Sequence, residues 1–154
     1  MKTFGKELPG LKIVERKLYT DSRGYFSETY RSDLDTMTGL FRQLNTAQSS
    51  RGVLRGLHRQ DQTKLVMPVF GTIFDVAVNP DTGDWFGIIL DETVGLSIPP
   101  QYAHGYLVLS DIAVVQYIVD QPYKQAIEEN FKWNNYGIEW PLDGGMPILS
   151  EKDA

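Results

Sequence analysis

The chain has 154 residues, 42% of them apolar and 23% charged, with a formal net charge of −5. That is the size of one domain, 1–154, with a single core, and its acidity argues against a broad nucleic-acid footprint while leaving room for a small anion held by a few arginines. The absence of cysteine excludes disulfides and thiolate metal sites and suits a reducing compartment.

In chain order, the opening "MKTFGKELPGLKIVERK" carries no apolar core of the signal-peptide type. No later run approaches the length of a membrane span, so a cytoplasmic protein with no membrane partner is expected. Short β-type runs then follow, parted by Gly, Pro, Asn and Asp. They are "GLKIVERKLYT", "GYFSETY", "FRQLNTAQSS", "VLRGLH", "KLVMPVF", "GTIFDVAVN", "FGIILDE", "GLSIPP", "AHGYLVLS" and "AVVQYIVD". Turns are expected at "FGT", "PDTGD" and "PPQ". The stretch "RSDLDTMTGLF", 31–41, reads as one short helix with Ser32 as its N-cap. This rhythm belongs to an all-β sandwich, jelly roll or barrel.

Alternation along each strand assigns faces. Lys64, Val66 and Phe70 fall on one face of "KLVMPVF", with Pro68 between them. Asp75 falls with Ile73 and Ala77, and Tyr117 with Ala113, Val115 and Val119. Burying such polar groups without partners is costly, so their recurrence on several strands points to a polar cavity inside the sheets. In "VLRGLHRQ", Arg55 and His58 have opposite parity. They reach one pocket only if the strand bulges, and Gly56 is where that is easiest.

Taken singly, each of these residues has an ordinary structural explanation. His58 and His104 can be buried strand histidines, Lys64 an edge charge and Tyr117 a core aromatic. The two histidines form no His-x-His pair, which leaves little support for a metal site. There is no Gly-x-Ser-x-Gly elbow and no phosphate-binding glycine loop. Taken together, they form a different kit. A neutral imidazole can remove a moderately acidic proton, an ammonium can stabilise an oxyanion, and a phenol can return a proton from elsewhere. An arginine can hold a phosphate. That chemistry fits enolisation beside a ketone on a phosphorylated substrate.

The motifs "DSRGYFSETY", "QLNTAQSSRGVLRGLHRQ", "KLVMPVFGTIFDVAV", "IPPQYAHGYLVLSD", "VVQYIVDQPY", "YGIEWPL" and "LSEKDA" resemble, in content and order, the dTDP-4-dehydrorhamnose 3,5-epimerase family. The resemblance runs from about Gly10 to the end. It implies a cupin-type jelly roll (a double-stranded β-helix) with one or two short helices, a homodimer, and no metal or other cofactor. The substrate it implies is a nucleotide-linked 4-keto-6-deoxy sugar.

Residue by residue, the resemblance makes His58 the base, Asp153 the carboxylate that orients it, and Lys64 the cation near the C4 oxygen. Tyr117 becomes the acid on the opposite face. His104 and Asp75 match a second polar pair. Arg55 matches a diphosphate ligand, and Gln43 and Asn45 line the sugar-nucleotide site. Arg23, Phe26 and Glu28 match residues that reach the nucleotide from the partner subunit, and Tyr123 lies near the nucleotide end. The stretch "NPDTGDW" is shorter than the family pattern, and Arg59 stands where an aromatic is usual. Three alternatives stay open: epimerisation at C3 alone, an epimerase or cupin ketoisomerase acting on a GDP- or CDP-linked keto sugar, and a jelly roll that binds a sugar nucleotide without turnover.

Overall fold

The structure is a computed structural model that describes residues 1–32, 41–123 and 127–154. Thirteen strands are present among them: β1 (Thr3–Gly5), β2 (Lys12–Glu15), β3 (Leu18–Asp21), β4 (Gly24–Ser27), β5 (Gln43–Ser50), β6 (Leu54–Arg59), β7 (Lys64–Phe70), β8 (Ile73–Val78), β9 (Trp85–Leu90), β10 (Val94–Ile98), β11 (Ala103–Val108), β12 (Ile112–Val119) and β13 (Glu129–Asn130). One sheet has the order β1-β9-β8-β11-β6-β13 and the other β2-β10-β7-β12-β5, while β3 and β4 form a separate hairpin. All strand pairings are antiparallel. This is the all-β jelly-roll architecture expected. The segment expected to be helical lies mostly at 33–40, outside the described residues. Among the described residues no helix is long and apolar enough to cross a membrane.

Alternation explains which residues fill the space between the sheets. Ile73 and Ala77 on β8, Phe86 and Ile88 on β9, and Tyr106 and Val108 on β11 point inward. They meet Val66, Leu96, Ala113 and Val115 from the facing sheet. The opposite parity, Phe74, Val76, Val78 and Leu107, faces outward. It is covered by the C-terminal segment, chiefly Trp140 with Phe131, Trp133 and Leu142. With both faces covered, every residue of "IFDVAV" is buried, which is why that run reads as almost continuously apolar.

Three features depart from the sequence reading. The run "GLKIVERKLYT" is two strands, β2 in the second sheet and β3 in the projecting hairpin, parted at Arg16 and Lys17. Phe70 does not share the buried face of Lys64 and Val66; it is 57% exposed. The cause is a register shift between Val114 and Val115, which pair with Phe70 and Pro68, so one extra residue rotates Phe70 outward. Pro68 is tolerated there because β10 stops pairing at Val66, leaving no ladder bond for Pro68 to donate on that side. The short strands β1 and β13 carry no alternation signal and form only because β9 and β6 offer them free edges.

The 79–84 connection is a tight hairpin. Asn79 N–H donates to the Asp84 carbonyl at 2.8 Å and Gly83 N–H to the Asn79 carbonyl at 2.8 Å. Gly83 takes a φ of 79°, which a side chain would resist.

Candidate active site

The polar residues converge where β6 and β11 deviate from regular pairing. His104 pairs with His58 and Tyr106 with Arg55, with a register shift between them. Two residues of β6, Gly56 and Leu57, therefore face Gly105 alone. The shift lets Leu57 turn into the outer core while Arg55 and His58, despite opposite parity, both line one cleft. Gly56 has φ 121°, and a Cβ there would stand 2.6 Å from both the Gly105 Cα and the His104 carbonyl oxygen. Only glycine fits.

The cleft has a volume of about 230 Å³. His58 and His104 come from the first sheet, Lys64 and Tyr117 from the facing one, and Lys152 and Asp153 from the C-terminal turn. A larger groove of about 450 Å³, between Val108 and Ile148, is lined by no histidine, lysine or tyrosine and offers no acid–base set.

His58 Nε2 lies 2.5 Å from Asp153 Oδ1, and Asp153 Oδ2 accepts the Gly56 backbone N–H at 3.2 Å. The carboxylate thus spans the bulge and fixes the imidazole. Its partner nitrogen carries the proton, so Nδ1 keeps its lone pair. Burial pushes the His58 pKa below its ordinary value of 6.5, and the contacts with Asp153 offset part of that shift. The outcome is a neutral imidazole at neutral pH, the form a base requires. His104 makes a parallel pair, Nε2 to Asp75 Oδ1 at 2.7 Å, with Asp75 fully buried behind it.

Lys64 is 7% exposed. Burial lowers its pKa from 10.5 to about 8, opposed by the charges of Glu128 and Asp75. It stays largely protonated at pH 7, so a cation sits in a dry wall where it acts most strongly on a developing oxyanion.

Gln43, Asn45 and Tyr123 form a neighbouring polar set. Gln43 Nε2 donates to Asn45 Oδ1 at 2.7 Å, and Gln43 Oε1 accepts the Tyr123 backbone N–H at 3.0 Å. Asn45 stands directly opposite Tyr117 in the ladder, so the set continues that face outward. Arg23, Phe26 and Glu28 are not brought to the cleft within one chain. Arg23 pairs with Asp21, Phe26 is 66% exposed, and Glu28 lies 3.5 Å from Arg31.

Sequence reasoning missed Glu128, Lys152 and Tyr106. Glu128 accepts from Lys152 Nζ and from the Tyr123 hydroxyl, and its Oε1 lies 3.9 Å from His58 Nδ1. Burial raises the Glu128 pKa, but the bonds from Lys152 and Tyr123 bring it below its ordinary value. "IEENF" carries no signal that would single out Glu128, whereas Lys152 is adjacent to Asp153 in a motif already noted. Arg59 is absent from the cleft lining. It bonds Glu129 at 2.6 Å and stacks over Phe131, clamping β13 to β6. An arginine is thus explained there by packing. Among the described residues no group of three His, Cys, Asp or Glu is placed to hold a metal ion.

Comparison with known proteins identifies the family. The family model for dTDP-4-dehydrorhamnose 3,5-epimerase matches residues 5–154. A curated dTDP-4-dehydrorhamnose 3,5-epimerase of Methanothermobacter thermautotrophicus is 43% identical, covering 95% of this chain and 88% of that protein. The crystal structure of dTDP-6-deoxy-D-glucose-3,5-epimerase from Legionella pneumophila, in complex with dTDP-4-keto-L-rhamnose, superposes with a TM-score of 0.85 at 37% identity. It covers 99% of this chain and 89% of that one. A 3′-monoepimerase from Streptomyces bikiniensis, in complex with dTDP-quinovose, gives 0.83 at 27% identity over 94% of this chain and 81% of its own. By its motifs, its fold and these likenesses, the chain belongs to the dTDP-4-dehydrorhamnose 3,5-epimerase family.

Proposed function

We propose that this epimerase inverts C3 and C5 of a dTDP-linked 4-keto-6-deoxy sugar, with His58 as base and Tyr117 as acid. The observation that carries this reading is the cross-cleft arrangement: His58 stands on one sheet and Tyr117 on the other, with Lys64 beside Tyr117's strand. Removing a proton from carbon beside a ketone is hard because charge accumulates on oxygen. Lys64 supplies a preorganised cation for that oxygen. Inversion needs the proton to leave one face of the ring and return to the other, which two groups on facing walls can do. Asp153 keeps the Nδ1 lone pair of His58 available and stabilises the imidazolium once it forms. Arg55 holds the diphosphate. Gln43, Asn45 and Tyr123 line the approach to the nucleotide, and His104, held from behind by Asp75, floors the cleft.

The functional unit of this proposal is a homodimer. Arg23, Phe26 and Glu28 sit on or beside a hairpin that joins neither main sheet, and Tyr19, Tyr25 and Phe26 expose their rings along it. A second subunit would bury these aromatics and receive Arg23 at its nucleotide end. Work in the cytoplasm accords with a chain that has no cysteine.

The test is proton exchange in deuterated water, followed by NMR at C3 and C5 of dTDP-4-keto-6-deoxyglucose. The wild type exchanges and inverts both carbons, and His58→Ala does neither. Tyr117→Phe still exchanges deuterium from the His58 face but returns it without inversion. Exchange at C3 alone would make the protein a 3-epimerase. No exchange at either carbon would sink the enzyme reading for this sugar.

A further inference from the structure

Tyr106 is 3% exposed, yet its hydroxyl has no hydrogen-bond partner among the described residues. Leaving a buried hydroxyl unpaired costs stability, and such groups call for a specific explanation. Tyr106 stands directly opposite Arg55 on one side and Asp75 on the other. It therefore belongs to the row of the cleft that carries Arg55, one step from the row of the two histidines. Its ring contacts His104 at 6.2 Å between centroids, and it lines the same cleft as His58 and Tyr117. Ser49, the adjacent hydroxyl, is the weakest influence on Tyr106 and forms no hydrogen bond of good geometry with it; it accepts Arg55 Nε at 3.0 Å instead.

From this placement we propose that Tyr106 is a substrate-binding residue whose hydroxyl donates to a phosphoryl oxygen of the sugar-linked diphosphate, the group held by Arg55. The inference rests on the diphosphate reading of Arg55 given above. Three observations select a phosphoryl oxygen. Burial, the largest influence, pushes the Tyr106 pKa well above its ordinary value, so the group is a donor throughout the working range and needs an acceptor. The strongest charged influence on it is the Arg55 guanidinium, which draws an anion to the same spot. Asp75, the opposing charge, is turned to His104 and does not line the cleft. The substrate then completes a hydrogen bond that the folded protein leaves unmade.

The experiment measures dTDP binding by calorimetry, KM for the keto sugar, and the melting temperature of the free protein, in Tyr106→Phe and Arg55→Gln. Tyr106→Phe is expected to bind dTDP roughly ten- to hundredfold more weakly, as a lost bond to a charged acceptor implies. Its turnover loss should appear in KM. Its melting temperature stays level or rises, because an unpaired buried hydroxyl is gone. Unchanged dTDP affinity in Tyr106→Phe alongside weakened binding in Arg55→Gln would overturn the role of Tyr106 and keep the diphosphate reading. Unchanged affinity in both would overturn both. A lowered melting temperature in Tyr106→Phe would reveal a partner inside the protein and overturn the proposal. Weakening of keto-sugar binding without weakening of dTDP would move the contact to the sugar ring and overturn the phosphoryl assignment.

Discussion

Asp153 touches His58 and the Gly56 backbone with its two oxygens, at 2.5 and 3.2 Å, so one carboxylate both orients the imidazole and pins the bulge that aims it. Replacing it with Asn leaves the shape but offers an amide N–H where the imidazole N–H must donate. The ring then favours the tautomer with its proton on Nδ1. Turnover of Asp153→Asn should fall on the order of 10³-fold or more with the fold retained, checked by steady-state kinetics beside circular dichroism.

The pH profile follows from two buried groups. In the proposed reaction His58 acts neutral, and its pKa lies below 6.5, so kcat/KM should rise with pH on an acid limb below 6.5. Lys64 acts protonated in the same reaction, and its pKa is about 8, so activity should decline as pH rises through about 8. Glu128 is one of the charges that raise His58. Its replacement by Gln should move the acid limb lower still. A profile with no decline as pH passes 8 would contradict the Lys64 assignment, and activity that falls instead of rising as pH climbs towards 6.5 would contradict that of His58.

Lys64 trades stability for function. Its folded pKa of about 8 lies below the ordinary 10.5, so its charged form is disfavoured by folding. The unfolded chain binds more protons at this site between those values, so stability rises with pH across that window. The shift corresponds to about 3 kcal/mol at neutral pH. Lys64→Met should therefore gain up to about 3 kcal/mol in urea unfolding at pH 7, a gain that shrinks as pH climbs from 8 towards 10.5. The same variant should lose turnover.

Gly56→Ala tests the bulge. The added methyl meets backbone at 2.6 Å on two sides, with φ at 121°. A cost of about 2–4 kcal/mol is expected, seen as a lower melting temperature. Turnover should fall with it, because Arg55 and His58 lose their common pocket. A variant of wild-type stability would show that the bulge tolerates a side chain.

Much of the site is legible in the sequence. Period-two patterning identified Asp75 and Tyr117 as polar groups on inward faces, because the alternation of side chains is a local property of an extended chain. The same arithmetic showed that Arg55 and His58 conflict, and it named Gly56 as the place to resolve it. It failed at Phe70, where the bulge opposite Val114 and Val115 depends on the partner strand. Glu128 and Tyr106 gave no signal. The first matters because Lys152, Tyr123 and His58 gather around it, and the second because no well-formed hydrogen bond among the described residues meets its hydroxyl.

By itself, then, the sequence determined the all-β class, the inward polar residues and the family, since strand periodicity and motif order are written in the chain. Only the tertiary structure decided that the strand deviates at Gly56, that Asp153 returns from the C-terminal end to hold His58, and that Tyr106 keeps an unpaired donor in the cleft. These depend on which distant strands become neighbours, and burial, pairing and unmet hydrogen bonds exist only once those neighbours are in place.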